Sequence, residues 1–422
     1  MLPTNPFIVG APVRGADFLD RRQALRRLAS QINHGGSAVV TGEPRMGKTS
    51  VLLHLRDAAK TWFDAQAGHM LFHYLDGQTM AGWDADRFWQ EAFRPLARRW
   101  RAAAGQVYAS GRFETVAWEP VFAALERRER RFVLLLDEFD ALQDVPALHT
   151  RAVYSMLRSL ASRYRSFSVV LAARRSLTDM NHAARNFASG SPYFNFALEV
   201  RLQPLPEREV KALLDRGRER FTPADRNFLR RIAGRHPFFL QTAAYSLWDA
   251  YEGAADDPNA RYQDAMDDLF EMGKSVLADI WASWTPYMQM AFTLVALDNA
   301  PEIVEGRTFD EQALLRDLPD FSPELGKLAR RGFVRPDDKM ASGYTLCAEV
   351  MLWYLADELT RALRDERSLT EWLGSQQWEG LLKQGEKDAF KRFLRQAAPL
   401  LKEGARAFIT AAAEGAARGL TS

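Results

Sequence analysis

The stretch Gly42-Glu43-Pro44-Arg45-Met46-Gly47-Lys48-Thr49 narrows what this chain can fold into more than any other. It satisfies the pattern G-x-x-x-x-G-K-[ST] at every fixed position. The flanks agree with it. Ser37-Ala38-Val39-Val40 ahead of the loop reads as a buried strand, and Val51, Leu52, Leu55, Ala59 and Trp62 after it recur at helical spacing. A strand running into a glycine-bearing loop and then a helix leaves backbone N–H groups free at a positive helix end, which makes an anion site. The pattern makes Gly42, Glu43, Pro44, Arg45, Met46, Gly47, Lys48, Thr49 and Ser50 the expected nucleotide contacts. Lys48 is expected to reach the terminal phosphates as a point charge, and the Thr49 hydroxyl to hold a magnesium ion. The competing reading is a chance match in a glycine-containing turn, and both flanks weigh against it. The sequence thus implies a nucleotide-binding protein.

Composition limits the setting more than the chemistry. A chain of 422 residues has room for roughly two to four domains, each with its own core. With 47% hydrophobic and 26% charged residues and a formal net charge of +2, nothing demands nucleic acid or a membrane as an obligatory partner. Arginine far outnumbers lysine, which favours ion pairs and phosphate contacts without specifying either. The lone Cys347 excludes an intramolecular disulfide framework and suits a reducing compartment. No apolar run is long enough for a transmembrane segment, and Met1-Leu2-Pro3-Thr4-Asn5-Pro6 lacks the regions of a signal peptide. The expectation is a soluble cytoplasmic protein.

Further strands follow the loop. Met70 to Asp76 reads as a second strand ending in an acid. Trp83, Phe88, Trp89, Phe93, Trp100, Trp118 and Phe122 then recur at helical spacing and are expected in the core. Phe132-Val133-Leu134-Leu135-Leu136-Asp137-Glu138-Phe139-Asp140 is a continuous apolar run ending in adjacent acids, as in a buried parallel strand that opens into a site. Asp137 is expected to hold magnesium directly or through water, and Glu138 to polarise the attacking water. An exposed acidic turn is the alternative. Ser168 to Ala173 reads as a fourth strand, with Arg174 and Arg175 at its end. Arg174 is expected to sense the terminal phosphate or to stabilise transition-state charge. Phe196 to Leu202 reads as a fifth strand near an edge. Strands alternating with helices predict an α/β fold with a parallel, helix-covered sheet.

The strands stop at Pro204-Leu205-Pro206. The expected organisation is a P-loop core over 1–203, a helical lid over 204–276, a winged-helix domain over 277–362 and a helical tail over 363–422. In the lid, Gly234-Arg235-His236-Pro237 forms a rigid corner, because proline pre-sets the first turn of the helix that follows. His236 and Pro237 are candidate nucleotide contacts there, the alternative for His236 being a structural hydrogen bond. Arg21, at the start of a basic amphipathic helix, is a candidate near the nucleotide base, the alternative being a solvated arginine. Helices are expected at 281–297, at 309–316 and from Ser322 to Gly332, with a hairpin from Gly332 to Leu346. Lys327, Arg330 and Arg331 before the hairpin would touch DNA in a DNA reader and form a solvated or interdomain face otherwise. In the tail, Phe390, Leu394, Ala397 and Leu401 share one face, and Phe408, Ile409, Ala412 and Ala416 form a stripe of mostly small residues. The tail reads as helical packing or as an output or docking module.

These features together resemble the STAND class of signal-transducing P-loop ATPases, relatives of AAA+ proteins and of archaeal and Orc/Cdc6-like ATPases. The resemblance spans residues 5 to 360. It rests on Gly42–Thr49, on Leu136-Asp137-Glu138-Phe139-Asp140 and on Arg174. The Asn5-Pro6 opening, Leu202-Pro204-Leu205 and the His236-Pro237 corner add to it. It implies that the Arg174 strand runs between the loop strand and the acidic strand. It also implies ATP and ADP as ligands with Mg2+, a lid and winged helix that clamp ADP, and nucleotide-dependent self-assembly. Two departures stand out. Leu19-Asp20-Arg21-Arg22 keeps only the arginine of a hydrophobic-Gly-Arg-Glu pattern, and Gly234-Arg235-His236-Pro237 differs from the commoner glycine-before-proline form. Two functional classes follow: a slow ATPase switch acting on an unknown protein trigger or effector, or a DNA-associated ATPase with the winged helix on DNA. Salt-dependent DNA binding separates them.

Overall fold

A computed structural model describes residues 4–19, 21–184, 192–253, 257–299, 320–362 and 366–378, with the single positions 385, 388, 391 and 394. The chain divides into two units. The first holds Pro12–Glu43 and Gly47–Leu202, and the second holds the N-terminal residues through Ala11, Pro44–Met46 and the chain from Gln203 onward.

The first unit is built on a five-stranded parallel sheet of β1 (Ser37–Thr41), β2 (Met70–Asp76), β3 (Arg131–Asp137), β4 (Phe167–Ala173) and β5 (Ala197–Arg201). The spatial order is β2-β3-β4-β1-β5, so β4 runs between the loop strand and the acidic strand. Every residue of β1 and β4 is buried, as is all of β3 after its first residue. That explains their unbroken apolar runs: a parallel strand covered by helices on both faces has no solvent side to alternate with. β5, at the edge, is only partly covered, with Val200 buried and Leu198 36% exposed. Two buried hydroxyls tie neighbouring strands. Ser37 Oγ accepts from Val169 N at 3.0 Å, and Thr41 Oγ1 donates to Glu199 Oε1 at 2.7 Å.

Of the aromatics expected in the core, Phe88, Trp89, Phe93, Trp118 and Phe122 are buried, while Trp83 and Trp100 are only partly buried at its margin, and Phe93 is central. Its ring lies 4.2 Å from that of Trp118, 5.7 Å from Phe122 and 6.3 Å from Phe132, centroid to centroid. Trp118 is fully buried yet keeps its indole N–H satisfied, donating to Arg112 O at 2.9 Å. Truncating either ring to alanine should cost roughly 3–5 kcal/mol. The helix Ala85–Arg99 that carries Phe93 also contains Pro95, which has no N–H for the Glu91 carbonyl one turn back. His73 of β2 takes that place, with Nε2 3.1 Å from Glu91 O. The proline in the helix is thereby matched by a histidine in the sheet.

The second unit is mainly helical: Glu207–Leu214, Pro223–Ala233, Pro237–Gly253, Pro258–Ser283, Pro286–Asp298, Ser322–Arg331, Glu349–Ala362 and Glu366–Ser375. Thr222 and Asp225 form a capping box at Pro223, so the first N–H groups of that helix are satisfied. An antiparallel pair, β6 (Val334–Pro336) and β7 (Tyr344–Leu346), follows the Ser322–Arg331 helix, which stops at Gly332 with a left-handed φ of 83°.

Two sequence expectations change here, and one alternative is resolved. The helix read as 281–297 is two helices. Pro286 disfavours the helical conformation for Thr285, and Trp284 is already extended at φ −82°, ψ 146°. The division placed between 276 and 277 falls inside the continuous helix Pro258–Ser283, where no proline interrupts the pattern. Residues 366–378, the start of the tail, take the packing alternative through three side chains. Trp372, Leu373 and Trp378 are buried, Trp378 Nε1 donates to Gln289 Oε1 at 3.2 Å and Trp281 Nε1 donates to Gln376 Oε1 at 2.8 Å. The helix expected at 309–316 lies outside the described residues, as do Phe390, Ala397, Leu401, Phe408, Ile409, Ala412 and Ala416; Leu394 is described and buried.

Candidate functional site

The phosphate loop begins where β1 ends and runs directly into the helix Lys48–Asp57. Gly47 caps that helix in the left-handed region at φ 93°, and Val51 N donates to Gly47 O at 3.0 Å. Arg45 also has a left-handed φ of 58°, which a side-chain-bearing residue adopts at a cost of about 1–3 kcal/mol. The turn aims first-turn N–H groups away from the helix, where an anion is stabilised by the helix dipole. Lys48 is buried, and its Nζ donates to Gly42 O at 2.9 Å and Glu43 O at 3.0 Å. Burial pushes the Lys48 pKa down, while the Glu138 charge pulls it back up. Pro44 and Met46 are buried, Thr49 is half-buried and Arg45 is exposed. Ser50, expected among the nucleotide contacts, gives its Oγ to the Val13 N–H at 3.1 Å and so anchors the segment before the first helix.

The acidic pair sits at the end of β3. Asp137 is 1% exposed; its Oδ1 accepts from Glu138 N at 3.0 Å and its Oδ2 from the Tyr74 hydroxyl at 2.9 Å. Burial and the Asp137 carboxylate together push the Tyr74 pKa well up, so the hydroxyl stays a donor. Glu138 leaves the strand at φ 45°, another left-handed residue without a glycine's freedom, and caps the short helix Phe139–Gln143. The backbone just after β2 presses against this turn. A Cβ on Gly77 would lie 2.4 Å from Glu138 O and 3.0 Å from Asp137 O, so the approach requires glycine. Burial raises the Glu138 pKa, and Arg174 and Lys48 hold it down in that order.

Arg174 follows β4, and its Nε lies 3.6 Å from Glu138 Oε2. Its backbone N–H donates to Asp140 Oδ2. Arg175 turns elsewhere, donating from Nη1 to Gln143 Oε1 at 2.9 Å, with its Nε 3.9 Å from Asp140 Oδ1. Asp140 is therefore a brace for the end of β4. Lys48, Asp137, Glu138 and Arg174 are brought together in the first unit by the ends of adjacent parallel strands, the topological position where α/β sheets bind ligands.

The other two candidates are placed differently. Arg21 occupies the N-cap position of the helix Arg22–Asn33, and its carbonyl accepts from Leu25 N at 3.0 Å; Asp20 is outside the described residues. His236, in the second unit, is 4% exposed, and its Nε2 lies 3.2 Å from the carbonyl of Pro44, which belongs to the same unit. Its ring packs 4.5 Å from Phe239, and Pro237 starts the helix behind it.

Tyr74 and Gly77 went unnoticed in the sequence. Only the register of β2 on β3, which sets Asp76 opposite Asp137, puts them against the acidic turn. Magnesium suits the donors present. It takes one or two protein oxygens and fills the rest with phosphate and water, and the Thr49 hydroxyl and Asp137 carboxylate are oxygen donors of that kind. Among the described residues no cluster of three or more His, Cys, Asp or Glu side chains could hold a metal on its own. No described helix is long and apolar enough to cross a membrane.

Residues 31–180 match the family described as AAA domain. No protein of curated function matches the chain in sequence. Among solved structures, the Walker-type ATPase of Pyrococcus abyssi is similar at 16% identity and a TM-score of 0.48, over 81% of this chain and 97% of that one. The Aeropyrum pernix ORC2 protein, in ADPNP–ADP complexes, is similar at 14% identity and a TM-score of 0.43, over 81% and 91%. The Aeropyrum pernix ORC1 protein in complex with DNA is similar at 14% identity and a TM-score of 0.38, over 81% and 93%.

Proposed function

We propose that this P-loop ATPase of the AAA type is a nucleotide-controlled switch of the STAND kind, whose conformation or self-assembly follows the nucleotide it holds. Its ATPase character follows from the AAA domain match over residues 31–180. The observation that carries the switch reading is the ion pair between Arg174 and Glu138.

Each residue has a distinct task in this reading. The loop N–H groups and Lys48 receive the phosphates, and Lys48 exchanges its two carbonyl partners for phosphate oxygens. Thr49 and Asp137 would hold the magnesium ion, which neutralises charge on the phosphates. Tyr74 and the Glu138 N–H fix the plane of the Asp137 carboxylate. Glu138 takes the proton from the attacking water, a role that needs an ionised carboxylate. Arg174 then serves two partners. A terminal phosphate draws its guanidinium away from Glu138, so the group that recognises ATP is the one that frees the base. ADP lacks that phosphate and leaves the pair in place. Such coupling makes turnover slow and conditional, as suits a switch.

The helix Ser322–Arg331 with the β6–β7 hairpin supports a winged helix. Lys327 on that helix is paired with Glu324, with Nζ 3.3 Å from Oε1, which leaves fewer cations for DNA and favours the switch over the DNA-associated alternative. Size analysis of the purified protein with ADP, ATP and an unhydrolysed ATP analogue tests the proposal. A change of size or shape with the analogue that Lys48→Ala abolishes is expected. Identical profiles in all three nucleotides, together with duplex binding that weakens steeply with salt, would favour the DNA reading instead.

A further inference from the structure

At the edge of the sheet away from the phosphate loop, where β2 and β3 begin, lies a cleft of about 510 Å³ lined by Asn33, Gln66, His69, Arg130, Arg131 and Arg165, with Glu126 and Glu129 also at its wall. Arg131 and Asp137 are the first and last of the seven residues of β3, about 20 Å apart along an extended strand. It is a different place from the ATP site.

Two of its arginines, Arg130 and Arg131, donate to backbone carbonyls, and the third, Arg165, is exposed. Arg131 Nε donates to Arg165 O at 3.0 Å and its Nη1 donates to Ile32 O. Arg130 Nη1 donates to Gly68 O at 3.3 Å. Among the described residues, no carboxylate forms an ion pair with Arg130, Arg131 or Arg165. The carbonyl contacts fix guanidinium geometry, and the one carboxylate that acts on Arg131, Glu126, does so from beyond ion-pair distance. Gly35 helps to build this arrangement. It sits at φ 78°, and a Cβ there would lie 2.6 Å from Arg165 Cβ and 2.7 Å from Arg165 Cα, so only glycine lets the turn before β1 close on that backbone. The Arg165 carbonyl that steadies Arg131 is thereby set in place. Burial, with the Arg165 charge beside it, pushes the Arg131 pKa down, and Glu126 at the cleft wall pulls it part of the way back.

We propose that this cleft binds a small anion of the diphosphate class through Arg130, Arg131 and Arg165. Guanidinium groups match phosphate oxygens in pairs, and preorganised ones lose little freedom on binding. The volume lies in the range of small-molecule sites. A nucleic-acid backbone would need an extended basic stripe, and here it would meet the exposed Glu126 and Glu129. His69, Asn33 and Gln66 supply further donors for the rest of the ligand. The inference is independent of the switch reading.

The test is calorimetric titration of the full chain with pyrophosphate at fixed free magnesium, after the phosphate loop has been saturated with an unhydrolysed ATP analogue. One further binding event is expected. Arg130→Gln and Arg165→Gln should each weaken it by about tenfold or more, because each loses a charge-assisted contact. Both side chains can be changed without removing the carbonyl that holds Arg131, so melting temperature and analogue affinity should stay at the parent values. Absence of a second event, or unchanged affinity in both variants, would overturn the site. Displacement of pyrophosphate by duplex DNA, with affinity falling steeply in salt, would also overturn it and make the cleft part of a nucleic-acid surface.

Discussion

Arg174 Nε and Glu138 Oε2 lie 3.6 Å apart at the ends of β4 and β3, neighbouring strands of the sheet. In the proposed switch, one residue is the cation that reads a terminal phosphate and the other is the acid that activates water. Their pairing makes recognition and catalysis compete for the same guanidinium, and it sets the first expectation.

Glu138 must be ionised to act as a base, so hydrolysis falls as pH drops through its pKa. Burial raises that pKa, and Arg174 is the strongest influence holding it down. Arg174→Ala should therefore move the acid limb of the kcat/KM profile, which reports the free enzyme, to higher pH and narrow the discrimination between ATP and ADP. Arg175→Ala, whose guanidinium contacts Gln143, should leave the limb where it is. A limb that stays put or moves to lower pH in Arg174→Ala would refute the coupling.

Glu138→Gln should bind Mg-ATP about as well as the parent and hydrolyse it ~10²–10⁴-fold more slowly. Asp140→Asn should cost far less, since Asp140 braces the start of the loop after β4 through the Arg174 N–H. Single-turnover hydrolysis measures both. Normal turnover by Glu138→Gln would transfer the role of base to another acid, with Asp76 beside Asp137 the next to replace.

Gly77→Ala tests whether the sheet backbone shapes the site. Its methyl group would fall 2.4 Å from Glu138 O, a backbone atom that cannot swing aside. The expected loss is about 1–3 kcal/mol of stability, with a drop in kcat larger than any change in nucleotide affinity. Parent-like kcat in a folded Gly77→Ala protein would mean that the turn tolerates displacement.

Trp378→Ala should destabilise the second unit by roughly 3–5 kcal/mol, because Trp378 is 1% exposed and hydrogen-bonded to Gln289. Truncation after residue 362 removes Trp372, Leu373 and Trp378 together and should lower the melting temperature further still. A truncated protein that melts like the parent would show that residues 366–378 are dispensable packing.

The local record of the sequence was sufficient wherever a motif carries its own geometry. Gly47 before Lys48, the unbroken apolar runs of β1, β3 and β4 and the prolines that start helices each state their conformation in a few adjacent residues. The parallel sheet and the positions of Lys48, Asp137 and Glu138 were legible for that reason. Boundaries were less so. The break at Trp284 is signalled by Pro286, but the continuity of Pro258–Ser283 through residue 276 depends on what the helix packs against.

What the tertiary structure decided is which distant residues meet. Tyr74 reaches Asp137 only through the register of β2 on β3, and Gly77 matters only because that register brings Glu138 O to it. Ser50 turns to Val13, His73 to the carbonyl left open by Pro95, and Trp378 to Gln289. None of these pairs is marked by spacing along the chain. A hydrogen bond or a close approach between elements is set by strand register and helix packing, and these come from the burial of the whole core rather than from any short stretch of sequence.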